Sequence, residues 1–124
     1  MRKIEIVKNF INAYNSLNVE SMITYLHPEI EFKNISSGVE NVYTKGIEEF
    51  KELANNSIKI IKEREQKITS YTESDDTVNV EINFRGILAM DLPNGLKSGE
   101  ILVMNGKSKY VFKDNLIILL VDEG

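Results

Sequence analysis

The chain has 124 residues and a mass of 14.2 kDa, enough for one domain that buries about two-thirds of the surface its unfolded form exposes. Hydrophobic residues make up 42% and charged residues 27%, a globular balance and not a disordered one, and the absence of Cys removes disulfides and thiolate metal ligands. With 15 Lys plus Arg against 19 Asp plus Glu, the net charge is −4 and the chain lacks the basic face of a nucleic-acid binder.

Ile4, Val7, Phe10, Ile11, Tyr14 and Leu17 recur at steps of three and four, which predicts an amphipathic helix of about four turns with Lys3, Lys8, Asn9, Asn12 and Asn15 on its polar side. Asn18 reads as the N-cap of a short helix, Val19–Leu26, ended by Pro28 because the residue before a proline is pushed out of helical geometry. Glu29–Ile35 alternates, which predicts a strand with Ile30, Phe32 and Asn34 on one face. A loop around Ser36, Ser37 and Gly38 follows. Gly46 then opens a second long helix striped by Ile47, Phe50, Leu53, Ala54, Ile58 and Ile61. In Ser57–Lys67 the basic residues interleave with Glu63 and Glu65, the pattern of a solvated face. Strands are predicted over Arg64–Glu73, Thr77–Arg85, Gly99–Lys113 and Leu116–Asp122, with Gly86 as a bulge and Leu92–Gly95 as a turn.

Helices grouped ahead of long antiparallel strands predict an α+β domain with its helices on one sheet face. Leu116–Val121 is too short to span a membrane, which takes about 20 residues. It is apolar on both faces, so both need cover; helices supply one, and a second copy of the chain is expected to supply the other as a homodimer through the sheet. The basic start, Met1–Lys8, is not followed by the apolar stretch of a signal peptide, so the expected location is the cytoplasm.

Five segments share an order and spacing: Ile6–Tyr14 (IVKNFINAY), Tyr25–Phe32 (YLHPEIEF), Lys45–Phe50 (KGIEEF), Asp91–Gly95 (DLPNG) and Tyr110–Ile117 (YVFKDNLI). Together they resemble the nuclear transport factor 2-like superfamily in its SnoaL-like branch, over essentially the whole chain as a single domain, residues 1–124. The resemblance implies a cone-shaped fold: a curved, mostly antiparallel sheet wrapped by about three helices from the N-terminal half, with a pocket inside. It implies no single activity, since members include isomerases, cyclases, hydrolases, dehydratases, transport factors and binding domains.

Site residues are therefore weighed one chemistry at a time. Ketosteroid isomerases of this superfamily use an Asp base and two oxyanion donors; the matching positions here hold Asn34, Phe10 and Ser108, so the catalytic set is absent and that activity is disfavoured. Limonene epoxide hydrolases resemble the chain at Asn34, Arg85 and Asp122, but Phe32 replaces a hydrogen-bonding Tyr and Ile87 stands where an acid is needed; Asp91 fills that role only if the register shifts. A cyclase-like reaction needs one acid, and Asp122 is the candidate because burial in an apolar strand raises a carboxyl pKa. Two residues from the chain end, it is also expected to fray into water. His27, the only His, sits in a helix-to-strand corner and reads as structural. No metal site and no cofactor are implied.

Asn34 shares a face with Ile30 and Phe32 and is expected to point inward, where a buried amide must find a partner. Tyr14, Phe10, Phe32, Tyr43, Phe84, Met90 and Tyr110 are the candidate walls of the same pocket. The sequence thus predicts a domain that binds a small, largely apolar molecule. The alternative is a cofactor-free enzyme, polyketide-cyclase-like or epoxide-hydrolase-like, with Asp122 as acid–base and Asn34 holding water or substrate. A protein-interaction domain would instead have a filled cone.

Overall fold

A computed structural model describes all 124 residues, Met1–Gly124. In chain order it contains α1 (Lys3–Asn15), α2 (Val19–Ile23), β1 (Leu26–Ser36), β2 (Val39–Lys45), α3 (Ile47–Ile60), β3 (Ile61–Ser74), β4 (Thr77–Leu88), β5 (Ile101–Lys113) and β6 (Leu116–Glu123). The six strands form one sheet in the order β2-β1-β6-β5-β4-β3. Every neighbouring pair is antiparallel except β1 and β6, which run parallel. This is the α+β cone that the resemblance implies.

Alternation explains the core. Val78, Val80 and Ile82 of β4, Tyr110 and Phe112 of β5, and Ile117 and Leu120 of β6 are buried. They join one apolar cluster with Ile4, Val7, Phe10 and Ile11 of α1 and Phe50 and Ala54 of α3. Asn18 caps α2 as expected, its Oδ1 accepting the Ser21 N–H at 3.1 Å. Gly46 enters α3 at φ +87°, a left-handed conformation that favours glycine, and its N–H donates to the Ile30 carbonyl at 2.7 Å.

Several boundaries differ from the sequence reading, each for a tertiary reason. The second helix stops at Ile23 and not at Leu26, because the Tyr25 carbonyl accepts the Ile117 N–H and Leu26 pairs with Ile117 in the sheet. Pro28 is tolerated inside β1 because the β1–β6 ladder slips between Leu26 and Glu31. The segment expected as a loop contains an edge strand, β2, reached through a turn with Ser37 and Gly38 at φ +51° and +79°. Most of its residues are exposed, so it carries little hydrophobic pattern.

Gly86 is not a bulge. It pairs in register with Arg64 and Leu102, and the ladder slips lie beside Lys62 and Thr69 on β3. A Cβ at Gly86 would stand 2.9 Å from Cζ of Phe84, so glycine makes room for that ring. Asn15, assigned to the polar side of α1, is instead a stitch. Its amide nitrogen donates to the Gln66 carbonyl at 3.1 Å and its oxygen accepts the Gln66 N–H at 2.8 Å. It thereby covers backbone groups on the sheet edge formed by β3.

Candidate functional site

Between the helices and the concave sheet face lies a cavity of about 220 Å³. Its walls are mostly carbon: Phe10, Met22, Phe32, Phe50, Leu53 and Leu120 among them. The rings interlock, with Phe10 edge-on to Tyr110 at 6.0 Å and Phe32 edge-on to Phe50 at 5.8 Å. The polar residues on the lining are Tyr14, Asn34, Ser57, Arg64, Gln66 and Asp122.

Asp122 is ordered, not frayed. It sits in β6 between Asn34 of β1 and Ser108 of β5, and Gly124 beyond it donates to the Ile35 carbonyl at 3.0 Å. Pairing on both sides is what holds so terminal a residue in place. Its Oδ1 accepts the Ser108 hydroxyl at 2.7 Å. Burial pushes its carboxyl from the usual 3.8 up to about 6, and the Ser108 hydrogen bond works against that rise. A carboxyl near 6 can both give and take a proton close to neutral pH.

Asn34 borders the cavity, but its amide nitrogen donates away from it, to Asn41 Oδ1 at 2.9 Å and Ser36 Oγ at 3.2 Å. Those bonds are exposed, so Asn34 stands at the solvent edge of the cavity. The Ser108 hydroxyl is committed to Asp122.

Other sequence candidates lie elsewhere. Phe10, Tyr14, Phe32 and Tyr110 line the cavity together; Tyr43, Phe84 and Met90 do not. Tyr43 is 47% exposed on the edge strand and donates to Glu31 Oε1 at 2.7 Å, and Met90 is 47% exposed beyond the end of β4. The Phe84 ring folds over Gly86. Arg85 is exposed, and Asp91 is in the loop after β4, where it accepts the Ser98 N–H at 2.9 Å. The acid–base trio of an epoxide hydrolase is therefore not assembled from Arg85, Asp91 and Asp122. His27 accepts the Glu29 N–H on Nδ1 at 3.0 Å, a local turn contact outside the cavity lining.

The residue that sequence reasoning missed is Arg64. Only 7% exposed, it corrects the expectation of a solvated face over Ser57–Lys67. Its Nε donates to the Tyr14 carbonyl at 2.8 Å, its Nη1 to Ser57 Oγ at 3.1 Å, and the Tyr14 ring lies 3.6 Å from the guanidinium carbon. The signal was present as parity: Arg64 and Gln66 fall in phase with inward Ile68, while Glu63, Glu65 and Lys67 alternate outward. Burial lowers the guanidinium pKa and raises that of the Tyr14 hydroxyl, with the two groups each opposing the other's shift.

A family model for the SnoaL-like domain matches residues 7–120. No curated protein sequence matches the chain. Among solved structures, a provisionally named polyketide cyclase from Xanthomonas campestris pv. campestris superposes with a TM-score of 0.83 at 16% identity, over 98% of this chain and 89% of the other. An NTF2-like protein of unknown function from Burkholderia pseudomallei K96243 gives 0.80 at 14% identity, over 98% and 90%. IdmH from Streptomyces antibioticus, also provisionally named a polyketide cyclase, gives 0.80 at 12% identity, over 98% and 91%. At such identities these likenesses speak for the fold alone; the family match, spanning nearly the whole sequence, shows that the chain belongs to the SnoaL-like domain family.

Proposed function

We propose that this protein binds a small, largely apolar molecule in the conical cavity, with Tyr14, Asn34 and Asp122 as polar contacts. The observation that carries this reading is the cavity itself: an interior hollow walled by aromatic and aliphatic side chains with a few convergent polar groups, the usual form of a small-molecule site. Its volume of about 220 Å³ lies below the roughly 300–1,000 Å³ of pockets for drug-sized ligands, so the occupant is small. Native mass spectrometry after incubation with a metabolite mixture tests this. Retention of a compound by the wild type and its loss from Leu53→Trp, which fills the cavity, supports the reading; retention of nothing, or equal retention by both, overturns it.

A second reading is favoured by Asp122. A carboxyl poised near 6 beside an apolar cavity suits cofactor-free acid–base catalysis, and the polyketide-cyclase naming of two structural neighbours makes a cyclisation the first reaction class to try. Asp122→Asn separates the readings: an enzyme keeps binding and loses turnover, with the wild-type rate bending near pH 6, whereas a pure binder shows no turnover to lose.

The outer face of the sheet supports a homodimer. Leu119 and Val121 of β6 lie on the face opposite the cavity-lining Leu120 and Asp122. On that same face Lys107 bridges Glu123 at 3.0 Å, with Lys109 and Glu81 alongside. Mixed charge around an apolar strip can complement itself across a two-fold axis. Light scattering at twice the 14.2 kDa chain mass is expected; a monomer at that mass removes this part of the proposal.

A further inference from the structure

Arg64 and Asp122 share the cavity without neutralising each other. No ion pair of the structure includes either residue. The Asp122 carboxyl has Ser108 as its side-chain hydrogen-bond partner, and no Lys or Arg nitrogen stands within ion-pairing distance of it. Arg64 is 93% buried by complement of its 7% exposure, and two of its three nitrogens are committed, Nε to Tyr14 and Nη1 to Ser57. Nη2 is buried with no hydrogen-bond partner. A guanidinium cannot relieve this by losing a proton, as a carboxylate can by gaining one. Its planar fork is moreover fixed by the Tyr14 ring and carbonyl, so the free edge has one direction in which to seek an acceptor.

We infer that the ligand of this cavity is a small organic anion, a carboxylate or enolate whose oxygen is received by Nη2 of Arg64 while its carbon skeleton rests on Phe10, Phe32 and Phe50. This deepens the small-molecule reading above and rests on it. An uncharged hydrocarbon would satisfy the aromatic wall and leave the guanidinium edge without an acceptor. An oxyanion satisfies both, because no carboxylate of the chain stands within ion-pairing distance of Arg64 and its free edge lacks a direct acceptor. The anion also has a reason to bind in one orientation. Its charged end lies toward β3, and its apolar body extends over the rings.

The test uses the 15N-labelled wild-type chain at pH 7 with two probes of matched shape, benzoate and benzyl alcohol. Benzoate is expected to bind about ten-fold or more tightly than benzyl alcohol, as a charge-assisted hydrogen bond in a buried site implies. It is also expected to move the Arg64 side-chain Nε–H resonance, which benzyl alcohol leaves in place. In Arg64→Met the preference for benzoate falls to near unity while benzyl alcohol still binds. Because the resonance shift is read on the wild type, it decides the matter even where that variant does not fold. Equal affinity for the two probes with an unmoved Arg64 signal overturns the anion inference and leaves the cavity reading standing. Benzoate shifts confined to exposed lysines overturn it too. Failure of both probes to perturb any cavity residue removes the cavity reading along with it.

Discussion

The two charged groups in the cavity are accommodated in opposite ways. Asp122 has one neutral hydrogen-bond partner, Ser108, and meets its burial by holding its proton to about pH 6. Arg64 keeps its charge and meets burial with geometry: a carbonyl, a hydroxyl and an aromatic face, all supplied by the end of α1 and by α3. One end of the cavity is therefore chemically adjustable and the other is fixed. A fixed cation suits holding a ligand, and an adjustable acid suits exchanging a proton with it.

The fixed end should give the larger and pH-independent effect when broken. Arg64→Ala removes two hydrogen bonds from a charged donor and the stacking on Tyr14, offset in part by the release of a buried charge. Unfolding in denaturant is expected to show a loss of about 3–4 kcal/mol, the same at pH 5 and pH 8. A loss that varied with pH over that range would mean that Arg64 is coupled to a titrating partner after all.

The adjustable end should respond to pH. The Asp122 carboxyl binds its proton more tightly in the folded chain, at about 6, than at its usual 3.8. The stabilisation it contributes is therefore full below about pH 3.8 and is lost as the pH climbs through 6. The change amounts to about 3 kcal/mol across that window. Asp122→Asn abolishes this dependence: it should be more stable than the wild type at pH 8 and no more stable at pH 3.5. Parallel stability curves for the two proteins between pH 3.5 and 8 would show that Asp122 is not held in a raised state.

The smallest effect on folding belongs to the rim. Asn34 makes exposed hydrogen bonds to Ser36 and Asn41, so Asn34→Ala should cost under about 0.5 kcal/mol. If its carbonyl oxygen meets the ligand, the same change weakens binding of whatever compound the cavity retains. A large stability loss without a binding change would make Asn34 a structural residue only.

Much of the fold was legible because periodicity reports burial directly. The α1 stripe, the alternation of Val78, Val80 and Ile82, and the N-cap at Asn18 are local patterns with local causes, and each stands where the sequence places it. β2 was not legible, since a mostly exposed edge strand has little apolar signal to read. Among the walls of the cavity, Phe10, Tyr14, Phe32 and Tyr110 could be named in advance because they share faces with core residues. Tyr43 and Met90 could not be excluded, because an aromatic or Met in a loop or edge carries no phase.

What the sequence determined by itself is therefore the α+β order, the inward faces of the long elements and Asp122 as the candidate acid. Tertiary structure decided the fate of that acid. Asp122 is held because β1, far away in the chain, runs parallel to β6 on one side while the hairpin strand β5 closes the other. It also decided that Arg64, in a stretch that reads as solvated, turns inward under the end of α1. The physical reason is that a polar group is kept in an interior by what packs around it, and for Arg64 the end of α1 and α3, and for Asp122 the strand β1, reach it only once the fold has formed.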